Sequence, residues 1–175
     1  MRANTRRFNL FLAFMAMAVL CGCQTDQKNK EVSALRVHLE SGSNGSSTSE
    51  TISVPPRDDP VLITIEKEPI LTEANIIASK VIETQGGIAL QIQFDESSSL
   101  MLEQYSAANP GKHFVIFGQW GEKRADGRWL AAPLITHRIV GGILSFTPDL
   151  SRAEADRLAL GLNNVAKQII KGQLK

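Results

Sequence analysis

Three histidines, His38, His113 and His137, are the first residues to weigh for metal or acid–base chemistry. None stands in an i,i+2 or i,i+4 histidine pair, so each reads as a solvated or structural imidazole, and no metal site is expected. Asp95 and Glu96 are adjacent and point to opposite sides of an extended chain, which makes a poor acid–base pair; capping a serine-rich helix start suits them better. Asp58-Asp59 lack the spaced ligands and glycine of a calcium loop and read as turn residues. Gly111-Lys112 lacks the upstream glycine of a phosphate loop. Neither Gly-x-Ser-x-Gly nor Ser-x-x-Lys occurs, which removes the commonest serine-nucleophile signatures. No catalytic residue and no cofactor is expected, and the chain is not read as an enzyme.

Binding is the other chemistry to consider. Glu122, Lys123, Arg124, Asp126 and Arg128 form a mixed-charge loop that reads as a solvated hairpin tip. Trp120 and Trp129 flank it, and cross-strand packing at the hairpin base suits them, with a clamp on a partner as the alternative. The candidate contact set is therefore Trp120, Arg124, Arg128 and Trp129.

Cys23 carries the most specific signal. Arg2, Arg6 and Arg7 precede an apolar run from Phe8 to Leu20, the pattern of a secretory signal and too short for a membrane span. Leu20-Cys21-Gly22-Cys23 then resembles the bacterial lipobox: an aliphatic residue, two small ones and a cysteine. That resemblance implies cleavage before Cys23 and lipid on its sulfur and new amine. Cys21 is a poor rival, because Leu20 would fill the position that wants a small residue. Several acyl chains at about 0.8 kcal/mol per methylene hold a protein in a bilayer where one chain would be marginal. By resemblance to enterobacterial sorting, Gln24 in place of aspartate favours the outer membrane. The expected division is a signal peptide over 1–22, a polar tether over 23–31 and one folded domain over 32–175.

Loss of residues 1–22 removes three arginines and shifts the net charge from +1 to −2, with 16 basic residues against 18 acidic. No basic excess remains for a nucleic-acid partner. Both cysteines sit at the signal junction, so disulfides and cysteine-ligated zinc are excluded for the mature domain.

The elements that must position any site follow from periodicity. Val32 to Glu40 alternates around Leu35, Val37 and Leu39, a strand. Residues 41–60 read as a flexible loop, Gly/Ser-rich at first and ending in a proline-bracketed turn. Val61 to Glu68 is a strand. Thr72 offers a helix cap, with Ala74, Ile77, Ala78 and Val81 at helical spacing and Gly86-Gly87 as the stop. A strand follows over Ile88 to Phe94, then a helix after Ser97-Ser98-Ser99. Lys112 to Trp120 is apolar on both sides, which places it centrally in a sheet. An extended segment interrupted by Pro133 and a short Ile143–Phe146 strand come next. Ser151 and Glu154 form a capping box for a last helix with Leu158, Leu162, Val165 and Ile169 in one stripe, and Gly172 ends it. The expected fold is α+β: a single antiparallel or mixed sheet with helices packed on one face, in the order β-β-α-β-α-β-β-β-α.

From about Ile70 to Ile170 these segments resemble, in order, the head part of the first periplasmic domain of SecD, an accessory subunit of bacterial Sec export. The matching pieces are Ile70-Leu71-Thr72, the strand Gly87–Phe94, Asn109-Pro110-Gly111-Lys112, Ala131-Ala132-Pro133-Leu134-Ile135, Ile139-Val140-Gly141-Gly142, and Phe146-Thr147 leading to Glu154-Ala155 and Leu158-Ala159. The Gly121–Arg128 loop is longer than in that family, and a lipid stands in for the family's transmembrane helices. The resemblance implies the head fold and a tendency to touch polypeptides outside the membrane. The expected function is that of a non-catalytic, periplasm-facing lipoprotein binding polypeptide or an envelope partner; a structural envelope component that self-assembles or joins a larger complex is the alternative.

Overall fold

The computed structural model describes residues 31–42, 47–56 and 58–172. The signal peptide, Cys23, Gln24 and all of the tether but Glu31 lie outside the described residues. Glu31 itself is fixed: its carboxylate accepts the Gly121 N–H at 2.8 Å and pairs with Arg157 at 3.3 Å, and its carbonyl accepts from the Asn164 amide at 2.9 Å.

Nine strands and two helices are present among the described residues. One antiparallel sheet has the order β4-β1-β7-β8, formed by Leu71–Thr72 (β4), Ala34–Leu39 (β1), Phe114–Trp120 (β7) and Asp126–Ala131 (β8). The β7 strand is internal, as its two-sided apolar pattern predicts. Pairing of Val37 with Ile116 and of Leu39 with Phe114 sets the alternation of the sheet. Leu35, Val37, Phe114, Ile116 and Trp120 thus share the core face, while His38 and Val115 share the other. Gly118 keeps β7 close to its neighbours, since a Cβ there would meet Leu130 Cδ1 at 2.6 Å.

A second antiparallel sheet has the order β5-β6-β9, formed by Ile76–Thr84 (β5), Gly87–Phe94 (β6) and Ile143–Phe146 (β9). Here the expected helix after Thr72 is overturned. Thr72 does cap a turn, reciprocally with Asn75, but only the 3₁₀ turn Glu73–Asn75. The chain then extends, because Ile76, Val81, Ile82 and Thr84 are β-branched and pair with β6, with Ile77 left out at a bulge. Gly86-Gly87, expected to stop a helix, closes the β5–β6 hairpin, with Gly87 at φ 128°. The strands therefore divide between separate antiparallel sheets instead of one, within the α+β class expected.

The helices are α1 (Glu96–Ala108), capped by Asp95, and α2 (Arg152–Ile170), capped by the Ser151/Glu154 box. Leu158, Leu162 and Val165 are buried on α2, each contributing about 1.5–3 kcal/mol by leaving water. This stripe packs α2 against β5 and β6 of one sheet and β1 and β7 of the other. Gly172, at φ 68°, ends the helix.

The expected flexible loop over 41–60 needs correction too. Ser49–Val54 forms β2, paired in continuous antiparallel register with β3, Val61–Glu66. Thr51, Ile52 and Val54 supply the strand preference that the preceding Gly/Ser run conceals. The hairpin covers the second face of the four-stranded sheet, where Val54, Ile63 and Ile65 enclose Val115 with Trp129 at the margin.

Candidate functional site

The four residues expected to contact a partner are engaged within the domain. Trp120 is only 1% exposed and belongs to the main core. Trp129 lies across from Phe117 on the opposite sheet face, edge-on to the His38 ring at 5.4 Å and to the Phe117 ring at 5.1 Å. The two tryptophans lie on opposite sheet faces and do not pack on each other. Arg128 sits 5.0 Å from the Trp120 ring centre and pairs with Glu154 at 2.7 Å. Arg124 pairs with Glu73 at 3.5 Å. Burial pushes the Glu154 carboxyl up, but the Ser151 N–H and hydroxyl and the Arg128 guanidinium together pull it below the ordinary value.

The histidines stay apart. His38 is buried and bonded to the Glu66 carbonyl, His113 holds Glu40 at 2.7 Å, and His137 meets the Thr136 hydroxyl. Among the described residues no three metal-ligating side chains cluster. Asp95 caps α1 through the Ser98 N–H at 2.8 Å.

A different site emerges from the sheet edges. The outer edge of β5 is sealed by α2: the Asn163 side-chain carbonyl accepts the Ser79 N–H and its amide donates to the Ser79 carbonyl, both at 2.8 Å. Ser79 therefore turns its backbone groups away from β6. Its partner Ile92 turns its own toward β9, where it faces Leu144. The Phe94 N–H bond to the Gly142 carbonyl, at 3.0 Å, keeps the same phase. Ile143 and Ser145, one residue out of that phase, direct their N–H and C=O groups outward from β9. Both residues are exposed, and among the described residues no strand pairs with that edge.

The edge leads into a groove. Just past Phe146 the chain forms one wall of an open cleft of about 520 Å³, with Ala131, Ala132 and Pro133 opposite and Pro55 and Pro56 at the end of β2 as a third side. Pro148 completes the first wall, and the Asp149 N–H ties that wall to the Leu130 carbonyl at 2.8 Å. Four of the lining residues are prolines, which offer apolar surface with no N–H. An unpaired strand edge running into an apolar cleft suits an extended peptide: backbone pairing supplies affinity and the cleft takes side chains. Sequence reasoning missed this site. Pro55 and Pro56 read as part of a turn and Pro133 as a strand interruption, and the outward phase of β9 follows from its register on β6, which no local pattern displays.

Comparison with known proteins gives a consistent picture. The family described as SecDF, P1 head subdomain, matches residues 49–166. A SecDF crystal structure in a super-membrane-facing form superposes with a TM-score of 0.54 at 20% identity, covering 81% of this chain and 21% of that one. A second structure, of a membrane component SecDF described as enhancing protein export, gives 0.54 at 19% identity, covering 81% and 69%. SecDF from Thermus thermophilus gives 0.41 at 15% identity, covering 78% and 29%. No curated protein sequence matches the chain. At these identities the first two superpositions speak for the fold, and the chain spans about a fifth of the length of the first structure.

Proposed function

The chain belongs to the SecDF P1 head subdomain family, and on that premise we propose that it binds an extended segment of polypeptide along β9 and in the adjoining groove. The observation that carries this reading is the outward pair of backbone groups on Ile143 and Ser145 beside a proline-walled cleft. One neighbour is described as enhancing protein export, and a strand-accepting edge is what an accessory to export would offer an unfolded chain. The domain works by holding and does no covalent chemistry; nucleic acid is not a partner.

The same proposal includes the anchor. Lipid on Cys23 would fix the domain to the periplasmic side of a bacterial envelope membrane, the outer one favoured by Gln24. Among the described residues no helix is long and apolar enough to cross a membrane.

The test is binding of a labelled, unstructured apolar peptide to the full chain at pH 7.5. Ser145→Pro deletes an outward N–H while sparing the β6 ladder, so it should weaken binding at least about tenfold with the fold intact. Unchanged affinity overturns the β9 site. Concentration-dependent self-association without peptide binding, seen by light scattering, would favour the self-assembling envelope component instead. Labelled palmitate should enter the wild type and not Cys23→Ala; incorporation in both would remove the anchor.

A further inference from the structure

We propose that the β2–β3 hairpin is an acid-released strap on the groove, seated on the neutral imidazole of His38. This rests on the reading of the groove as a polypeptide site and adds its regulation. His38 lies between the four-stranded sheet and the hairpin and is 5% exposed. Its Nδ1 is 2.9 Å from the Glu66 carbonyl oxygen; that oxygen can only accept, so Nδ1 carries the hydrogen of the neutral ring.

The hairpin is latched at the same end by Ser41. Its N–H donates to the Thr64 carbonyl at 2.8 Å, and its hydroxyl donates to the Glu66 carboxylate at 2.6 Å. At the opposite end, the hairpin delivers Pro55 and Pro56 to the groove as a wall. Lifting the hairpin removes that wall.

The surroundings offer a proton on His38 little compensation. From β1 and its end come Arg36, which repels it, and Glu40, whose carboxylate is held by the His113 ring and N–H at 2.7 and 2.9 Å. From β3 comes Glu66, engaged by Ser41, and from β2 comes Glu50, which is exposed. The β7 and β8 strands present Val115 and Trp129, which carry no charge. Burial is the largest influence and lowers the His38 pKa below its ordinary 6.5, against the raising effects of the Glu66 carbonyl and Glu50. For a histidine held neutral, docking is fully stabilised above pH 6.5 and loses stability as the pH falls from there toward the lowered folded value.

The experiment is amide hydrogen exchange on the full chain at pH 7.5 and 5.0, corrected for intrinsic rates. Protection in β2 and β3 should fall severalfold at pH 5.0, the direction set by a folded His38 pKa below 6.5, while α2 keeps its protection. His38→Gln should abolish the difference. Unchanged hairpin protection in the wild type overturns the proposal, as does a fall that persists in His38→Gln. Should that variant fail to fold, NMR titration of the wild-type imidazole decides: a midpoint at or above 6.5 overturns the proposal, and a lower midpoint tracking hairpin exchange supports it. None of these measurements involves peptide, so their failure is separate from a failure of peptide binding at pH 7.5.

Discussion

Asn163 of α2 completes the backbone of Ser79 in β5, accepting its N–H and donating to its carbonyl at 2.8 Å each, as a neighbouring strand would. The Ser79 hydroxyl adds a bond to the Ala159 carbonyl at 2.9 Å. One side chain thereby closes a strand edge that would otherwise invite pairing with another chain. Replacing Asn163 with Leu should cost about 1–3 kcal/mol, because two partly buried backbone groups lose their partners. Urea denaturation checks the loss, and light scattering should show concentration-dependent self-association through β5. A variant as stable as the wild type and no more self-associated would show that water substitutes for the amide.

That contact also explains what could be read in the sequence. The amphipathic stripe of α2, its capping box, the central position of β7 and the ordered family-like pieces were all legible, because each is a local pattern. The β5 strand was misread because its buried Ser79 breaks the apolar alternation, leaving Ala74, Ile77, Ala78 and Val81 to mimic a helical stripe. The buried hydroxyl finds its acceptor in the Ala159 carbonyl and the backbone its partner in Asn163, both far along the chain. The β2 strand was hidden by the Gly/Ser run before it, and the tryptophans looked like a pair because their positions on opposite sheet faces depend on register. The fold class was local information; the site is a product of tertiary pairing.

Gly161 gives the second prediction. An added Cβ would lie 2.1 Å from Ser33 Oγ and 2.8 Å from the Ser33 backbone nitrogen, so helix α2 can approach the start of β1 only without a side chain at this position. Gly161→Ala gains about 1 kcal/mol of helix preference but incurs about 1–3 kcal/mol of overpacking against backbone that cannot rotate away. The expected outcome is net destabilisation, read as a lower urea midpoint with an unchanged m-value. A raised midpoint would mean that the Ser33 segment shifts freely.

The helix caps set the acid limit of the domain apart from the hairpin. Burial raises the Asp95 and Glu154 carboxyls. Hydrogen bonds from Ser97 and Ser98 to the first, and from Ser151 and Arg128 to the second, outweigh it, so both titrate below their ordinary values of 3.8 and 4.5. A depressed carboxylate contributes fully above its unfolded value and loses that contribution as the pH falls through the folded one. Global stability should therefore decline below pH 4.5, with Ser151→Ala costing about 1 kcal/mol at neutral pH. Far-ultraviolet circular dichroism melts between pH 3 and 7 check this; a flat profile below pH 4.5 would contradict it.

Arg124 and Arg128 look alike in the sequence and should behave differently in the protein. Arg128 bridges the Trp120 ring to Glu154 at the start of α2, tying β8 to the helix cap. Among the described residues the Arg124 guanidinium pairs with Glu73 at 3.5 Å, at a partly exposed position in the preceding turn. Arg128→Ala should cost about 1–2 kcal/mol, combining a charge-assisted hydrogen bond with a cation–aromatic contact, whereas Arg124→Ala should stay within about 0.5 kcal/mol. Arg128→Ala should also raise the Glu154 pKa, visible as an earlier onset of acid unfolding. Were the two arginines instead a common docking surface, both variants would retain wild-type stability and lose peptide affinity together. Denaturation and peptide titration on the same samples separate these outcomes, and the internal bridge places the larger stability effect on Arg128.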